Sequence, residues 1–188
     1  MEQTSLWPGG RSRRAGLRKL LCRNASNDVM LSFGPMSDPP YNDEEFMCMA
    51  LEEAHGAAMR GEVSIGAVVV VGNLVIARAG NRTITDGDPT AHAEIVALRE
   101  AARKIGNYRL AGATLYATIE PCAMCAGAII QSRIDRLVYG ADDPRSGAVR
   151  SCFSILDHPQ LNHHVEVTAG VLADKAATLL KDFFAARR

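Results

Sequence analysis

Two short segments of this 188-residue chain carry side chains that could do chemistry together: His92-Ala93-Glu94 and Pro121-Cys122-Ala123-Met124-Cys125. An imidazole and two thiols are good zinc ligands. Three protein ligands leave a fourth position open to water, the pattern of a catalytic rather than a structural zinc site. Glu94 is then the spare carboxylate, and a carboxylate can carry protons to and from water without being a ligand. This reading makes His92, Cys122 and Cys125 the ligands of one Zn2+ and Glu94 the proton shuttle. The zinc would lower the pKa of water from about 15.7 toward about 7. The chemistry this set supports is hydrolytic: attack of an activated water on a carbon, with a carboxylate moving the protons.

The elements around these residues must bring them to one point. Cys122 and Cys125 stand three apart and share a helix face. His92 and Glu94 stand two apart, about 200° around a helical wheel, so in mid-helix they would face opposite ways. In the first turn, at the end of the axis, both can reach the same point. Thr90 is a plausible cap for that helix, whose apolar face is Ile95, Leu98, Ala102 and Ile105 and whose end is Gly106. Pro121, after a strand over Ala113 to Ile119, suits the first turn of a helix running through Ile130.

The rest of the chain reads as an alternation. Asn42 with Glu45 opens a first helix, which Gly61 ends. Gly66 to Val71 and Leu74 to Ala79 flank Gly72-Asn73, a hairpin signal. Asn81 to Pro89 is a polar loop, Arg136 to Tyr139 a short strand, Ala141 to Arg150 a loop, and His164 to Thr168 a last strand. Leu172, Ala176, Leu179 and Phe183 mark a closing helix. Strands alternating with helices imply an α/β sheet with helices on both faces.

Other chemistry stays open at this point. Cys-x-x-Cys alone also suits a redox pair, or half of a structural zinc site whose fourth ligand would be Cys152, His158, His163 or His164. A structural site would need no free acid beside it.

Composition excludes several classes. An apolar fraction of 47% and a charged fraction of 22% are ordinary for a globular protein. No apolar run approaches the roughly 18 residues of a membrane span, and Ile65 to Val71, interrupted at Gly66, reads as a buried strand. Net charge is zero but uneven: residues 1–35 carry six basic and two acidic groups, the remainder 15 basic and 19 acidic. The folded part therefore lacks the basic excess common in nucleic-acid binders, although a local patch would suffice. Residues 1–40, with Pro8-Gly9-Gly10, an Arg cluster and Pro39-Pro40, read as a disordered extension or an upstream start with Met36 as the true one; an Arg-rich transit segment is the alternative. Residues 41–188 read as one domain, and no secretory signal is evident.

Several longer segments resemble the bacterial tRNA-specific adenosine deaminase family: Asp88 to Glu94, Asn107-Tyr108-Arg109-Leu110, Ala113 to Tyr116, Glu120 to Ala128, Tyr139-Gly140-Ala141 and Asp182-Phe183-Phe184. The resemblance runs from about Asn42 to Arg188. It implies a three-layer α/β/α cytidine-deaminase-like fold with a central mixed five-stranded sheet, one Zn2+ per subunit, a homodimer and a cytoplasmic location. It implies conversion of adenosine to inosine at the wobble position of a tRNA anticodon stem-loop, chiefly of an arginine tRNA, by zinc-activated hydroxide with Glu94 as proton shuttle. Deamination of a free nucleobase or nucleoside is the alternative, since the zinc chemistry is common to both. By the same resemblance Asn81 would hydrogen-bond the flipped nucleoside, Ile65 would line the base pocket and the Ala93 backbone would contact the base. Asp143 would lie near the sugar or backbone, and Arg187 and Arg188 could meet phosphates. Two positions depart from the family pattern: Ser64 stands where a proline usually precedes Ile65, and Arg145 stands where a lysine commonly follows the acid by two.

Overall fold

A computed structural model describes residues 42–187; the expectations for residues 1–40 and for Arg188 lie outside them. Helix α1 (Asp43–Met59) opens on Asn42, whose side chain accepts the Glu44 N–H at 3.2 Å, and three acids in its first turn complement the helix dipole. The strand β1 (Gly66–Val71) turns through Gly72-Asn73 into β2 (Leu74–Gly80). Then follow α2 (Ala93–Ile105), β3 (Ala113–Ile119), α3 (Ala123–Ser132), β4 (Arg136–Ala141), a short 3-10 turn at Ile155–Asp157, β5 (Glu166–Ala169) and α4 (Ala173–Ala185).

The strands form one sheet in the order β2-β1-β3-β4-β5. β1 is antiparallel to both β2 and β3, whereas β3, β4 and β5 run parallel. This is the mixed five-stranded sheet of the cytidine-deaminase-like fold. Side chains alternate across it as the pleat requires. Ala67, Val69, Leu115, Ala117, Leu137 and Tyr139 pack toward α2 and α3. Val68, Val70, Tyr116 and Val138 pack toward Phe46, Met47 and Ala50 of α1, and α4 joins α1 on that same side. Helix α1 lies very close to the sheet. A Cβ at Gly66 would collide with the Ala50 carbonyl, which is why glycine starts β1 and alanines line the facing side of α1.

Far along β3 and β4 from the chemistry, a polar cluster pins α1 to the sheet. Arg136 donates from both terminal nitrogens to the two Asp43 oxygens, each at 2.8 Å, and from one of them to Thr168 at 2.8 Å; the Tyr116 hydroxyl donates to Asp43 at 2.9 Å. The Arg136 hydrogen bonds hold the Asp43 carboxyl below its ordinary range, against the opposing effect of burial. Asp43→Asn should therefore lower stability by about 1.5–3 kcal/mol at neutral pH. Because the folded-state pKa is depressed, this contribution is present above the unfolded value of about 3.9 and disappears as pH falls below it. Urea unfolding of wild type and variant should differ at pH 7 and converge in strong acid. A constant gap across that range would contradict the assignment.

Candidate metal centre and active site

The topology gathers four connections at one edge of the sheet. Antiparallel pairing brings the start of β1 and the end of β2 beside the ends of the parallel strands β3 and β4. Ile65, Asn81, Cys122 and Asp143 are the residues just beyond those strand ends. A crevice outside the carboxyl ends of strands is the usual place for a site in such sheets.

Both ligand segments enter helices there. His92 is the N-cap of α2, with φ −68° and ψ 152°, and Cys122 is the N-cap of α3, with φ −72° and ψ 174°. Neither side chain caps its own helix, so each is free to point past the helix end. The predicted cap at Thr90 is thus displaced by two residues: the Thr90 N–H and hydroxyl instead both donate to Asp88, each at 2.7 Å, closing a turn before the helix. Pro121 likewise precedes the cap of α3 rather than lying in its first turn. Placement at the helix ends is what lets His92 and Glu94, two apart, serve one place.

The His92 Nδ1 lies 3.6 Å from each of the two sulfurs. Together these atoms form a group able to hold a metal ion, all within 4.8 Å of one another. A tetrahedral ion with ordinary Zn–N and Zn–S bonds would separate nitrogen from sulfur by about 3.5 Å, so the three donors fit zinc in type and in spacing. Cys125 is buried, while His92 and Cys122 are partly exposed, so the group is not sealed from solvent. Among the described residues, Cys152, His158, His163 and His164 do not belong to this group. His163 instead contacts the Ile134 carbonyl at 2.6 Å, and Cys152 donates to that of Pro144 at 3.3 Å.

The electrostatics favour a cation. Hydrogen bonding from the Cys125 thiol, helped by His92 and opposed by burial, brings the Cys122 thiol down to about 4. The same contact with Cys122 pushes the Cys125 thiol up, and the His92 imidazole is raised by its bond to Cys122. Glu94, in the first turn of α2, is 4% exposed, and burial raises its carboxyl above the ordinary range. It lies beside Cys125 but outside the ligand group.

The other expected site residues fall around this centre. Asn81 is buried, and its Oδ1 accepts the Ala93 N–H at 3.0 Å. It thus caps α2 from the end of β2, because His92 does not. Among the described residues its Nδ2 donates to no protein acceptor. Ile65 is half-buried and packs against the cores on both sides of the sheet edge. The Ser64 hydroxyl, where the family pattern has proline, donates to the Leu179 carbonyl at 3.1 Å and ties α4 to the residue before Ile65. The Asp143 carboxylate accepts the N–H groups of Arg145 and Ser146 and the Ser146 hydroxyl, folding its own loop. Arg187 stacks on Phe183 at 3.7 Å and donates to the Gly61 carbonyl at 2.7 Å, so its guanidinium is engaged within the chain.

Two functional-looking acids escaped the sequence reading. Glu62, fully buried, accepts the Thr83 hydroxyl and the N–H groups of Ile84 and Thr85, and so holds the loop that follows Asn81. Glu120, 3% exposed, does the same for the loop that carries Asp143. Burial would raise its carboxyl, but the Ser151 hydroxyl and the N–H groups of Arg150, Ser151 and Asp143 prevail and bring it to about 2. Neither acid carries a local signal, because the groups that hold each one come from a loop elsewhere in the chain.

A half-buried His/Cys/Cys group with a buried acid beside it, at the ends of this sheet's strands, defines a deaminase of the cytidine-deaminase-like fold. The family description "MafB19-like deaminase" matches residues 41–188. The tRNA-specific adenosine deaminase of Haemophilus influenzae is 51% identical over 147 residues, covering 78% of this chain and 85% of the relative. That of Bacillus subtilis is 44% identical over 142 residues, covering 76% and 88%. A solved tRNA:A34 deaminase, studied for A-to-I editing at the wobble position of transfer RNA, superposes with a TM-score of 0.70 at 49% identity, covering 72% of this chain and 99% of that one. The chain belongs to the tRNA-specific adenosine deaminase family.

Proposed function

We propose that this chain hydrolyses the wobble adenosine of tRNA, chiefly an arginine tRNA, to inosine. One zinc ion per subunit would be held by His92, Cys122 and Cys125. The observation that carries the chemistry is the partly exposed group of three donors, which leaves a fourth position for water, with a buried acid next to it that is not a donor. The names of its relatives support adenosine in tRNA as the substrate.

When bound, the ion supplies Lewis acidity that makes water a nucleophile near neutral pH. The reaction replaces the C6 amine of adenine by oxygen from water and releases ammonia. Glu94 takes one proton from the water and delivers it to the adjacent ring nitrogen. It then takes the remaining proton of the hydroxyl added at C6 and passes it to the departing amine, which leaves as ammonia while C6 becomes a carbonyl. Its burial suits this work, since a carboxyl raised toward neutrality can both accept and return a proton. The free Nδ2 of Asn81 is available to the flipped nucleoside, while its Oδ1 holds the start of α2 through Ala93. Ile65 offers an apolar wall to the base. Half-buried Asp143 would contact the sugar or backbone of the flipped nucleotide, and exposed Arg145 beside it suits a phosphate. A homodimer in the cytoplasm completes the reading; a mass measurement in solution checks the first part. Among the described residues, no helix is long and apolar enough to cross a membrane.

The test compares an anticodon stem-loop bearing wobble adenosine with free adenosine, cytidine and guanine. Inosine in the stem-loop, with little turnover of the free compounds, is expected. Turnover of a free base with the stem-loop untouched would instead assign the site to nucleobase deamination.

A further inference from the structure

Glu120 has no part in the chemistry above, yet it is among the most heavily hydrogen-bonded side chains in the structure. One oxygen accepts the N–H groups of Val149, Arg150 and Ser151 at 3.0, 2.8 and 2.9 Å. The other accepts the Asp143 N–H at 3.0 Å and the Ser151 hydroxyl. All five donors come from the loop after β4, and they come from both its ends. The loop is wrapped closely around the carboxylate. A Cβ at Gly147 would collide with Glu120 and come within 2.6 Å of the Asp143 carbonyl. The same loop is fastened to the ligand segment: the Ala148 N–H donates to the Pro121 carbonyl at 2.8 Å, and Gly147 bridges Cys122. One side chain, two residues ahead of a metal donor, therefore sets where Asp143 stands relative to that donor.

We propose that Glu120 is a positioning residue: through the Asp143 loop it governs how substrate RNA is held, and not the chemical step. This rests on the reading of Asp143 as a substrate contact. The geometry predicts what Glu120→Gln does. An amide oxygen in place of the first oxygen keeps the three N–H groups of residues 149–151. The amide nitrogen then faces the Asp143 N–H, donor against donor, while the Ser151 hydroxyl can turn to accept from it. The substitution thus releases the Asp143 end of the loop alone.

The test is a double-mutant cycle read in KM and kcat on the anticodon stem-loop. E120Q should raise KM about tenfold with kcat nearly unchanged, a pattern of lost substrate binding. Metal content and the melting transition should stay near wild type. D143A should raise KM similarly, and the double variant should be no worse than D143A alone, because both changes remove one interaction. If E120Q melts early, Ser151→Ala makes the same test more gently: a smaller rise in KM, absent in the D143A background, with full metal content. Effects of E120Q and D143A that multiply, an unchanged KM in E120Q, or a loss confined to kcat or metal content would each overturn the proposal. So would a D143A chain that binds substrate normally. A wild-type chain inactive on the stem-loop would sink the tRNA reading itself and this proposal with it, whereas an active wild type with multiplying variants sinks the proposal alone.

Discussion

Replacing Glu94 by glutamine should lower turnover by about 10²–10⁴-fold while each chain still binds its metal ion. The size follows from the role. Glutamine keeps the shape and the hydrogen-bonding reach of the side chain but cannot take a proton from water and return it to the substrate. The retention of metal follows from the geometry, since the ligand group consists of His92, Cys122 and Cys125 and does not include Glu94. Folding should be undisturbed or slightly improved, because the carboxylate is buried and burial penalises its charged form. Metal analysis, a melting curve and a single-turnover rate on one preparation check all three parts. A glutamine variant that loses the ion would place Glu94 among the ligands and contradict the division of labour.

Cys125→Ser should show the converse: the ion is lost and activity goes with it. Cys125 is the buried member of the group and stands at the third position of α3, facing Cys122 at its cap. A hydroxyl has neither the softness nor the ready ionisation of a thiol, and two donors hold zinc poorly. The drop should exceed the roughly 10–100-fold that removing a mere supporting partner costs. Stability should follow the metal. With free ion at 100 times its dissociation constant, wild type gains about 2.7 kcal/mol that the variant lacks. A strong chelator should lower the melting temperature of wild type and leave that of Cys125→Ser where it was. A variant that retains one tightly held ion would point to a donor outside this group.

Much of this architecture is legible in the residues. The Gly72-Asn73 hairpin, the bounds of β3 and the closing helix lie where turn chemistry and periodicity put them. Local rules fail where a partner arrives from far along the chain. Thr90 is a better cap than His92 by residue type, but Asn81, just past the end of β2, accepts the first N–H of α2 and lets an imidazole occupy the cap. The irregularity between Val69 and Val70 opposite β2 has no local marker either. The site shows the same division. Its donors and Glu94 are readable from spacing, because the chemistry demands those types. Glu62 and Glu120 are not, because an acid is ordinarily exposed and the donors that satisfy these two are mostly main-chain groups of loops whose path only the fold decides.

That division bears on how the site works. The ligand segments stand at the starts of two helices, α2 held by Asn81 at the end of β2 and α3 following β3. The two flanking loops, in contrast, each depend on one buried carboxylate for their shape. Chemistry is thereby built on regular elements, and recognition on loops fastened to them.

The most direct test of the account is sequencing of a full-length arginine tRNA transcript after incubation with the zinc-loaded chain, with the Glu94→Gln chain run in parallel. Inosine, read as guanosine, should appear at the wobble position and at no other adenosine, with wild type alone. A transcript left unchanged, while the same preparation releases ammonia from free guanine or cytidine, would contradict it.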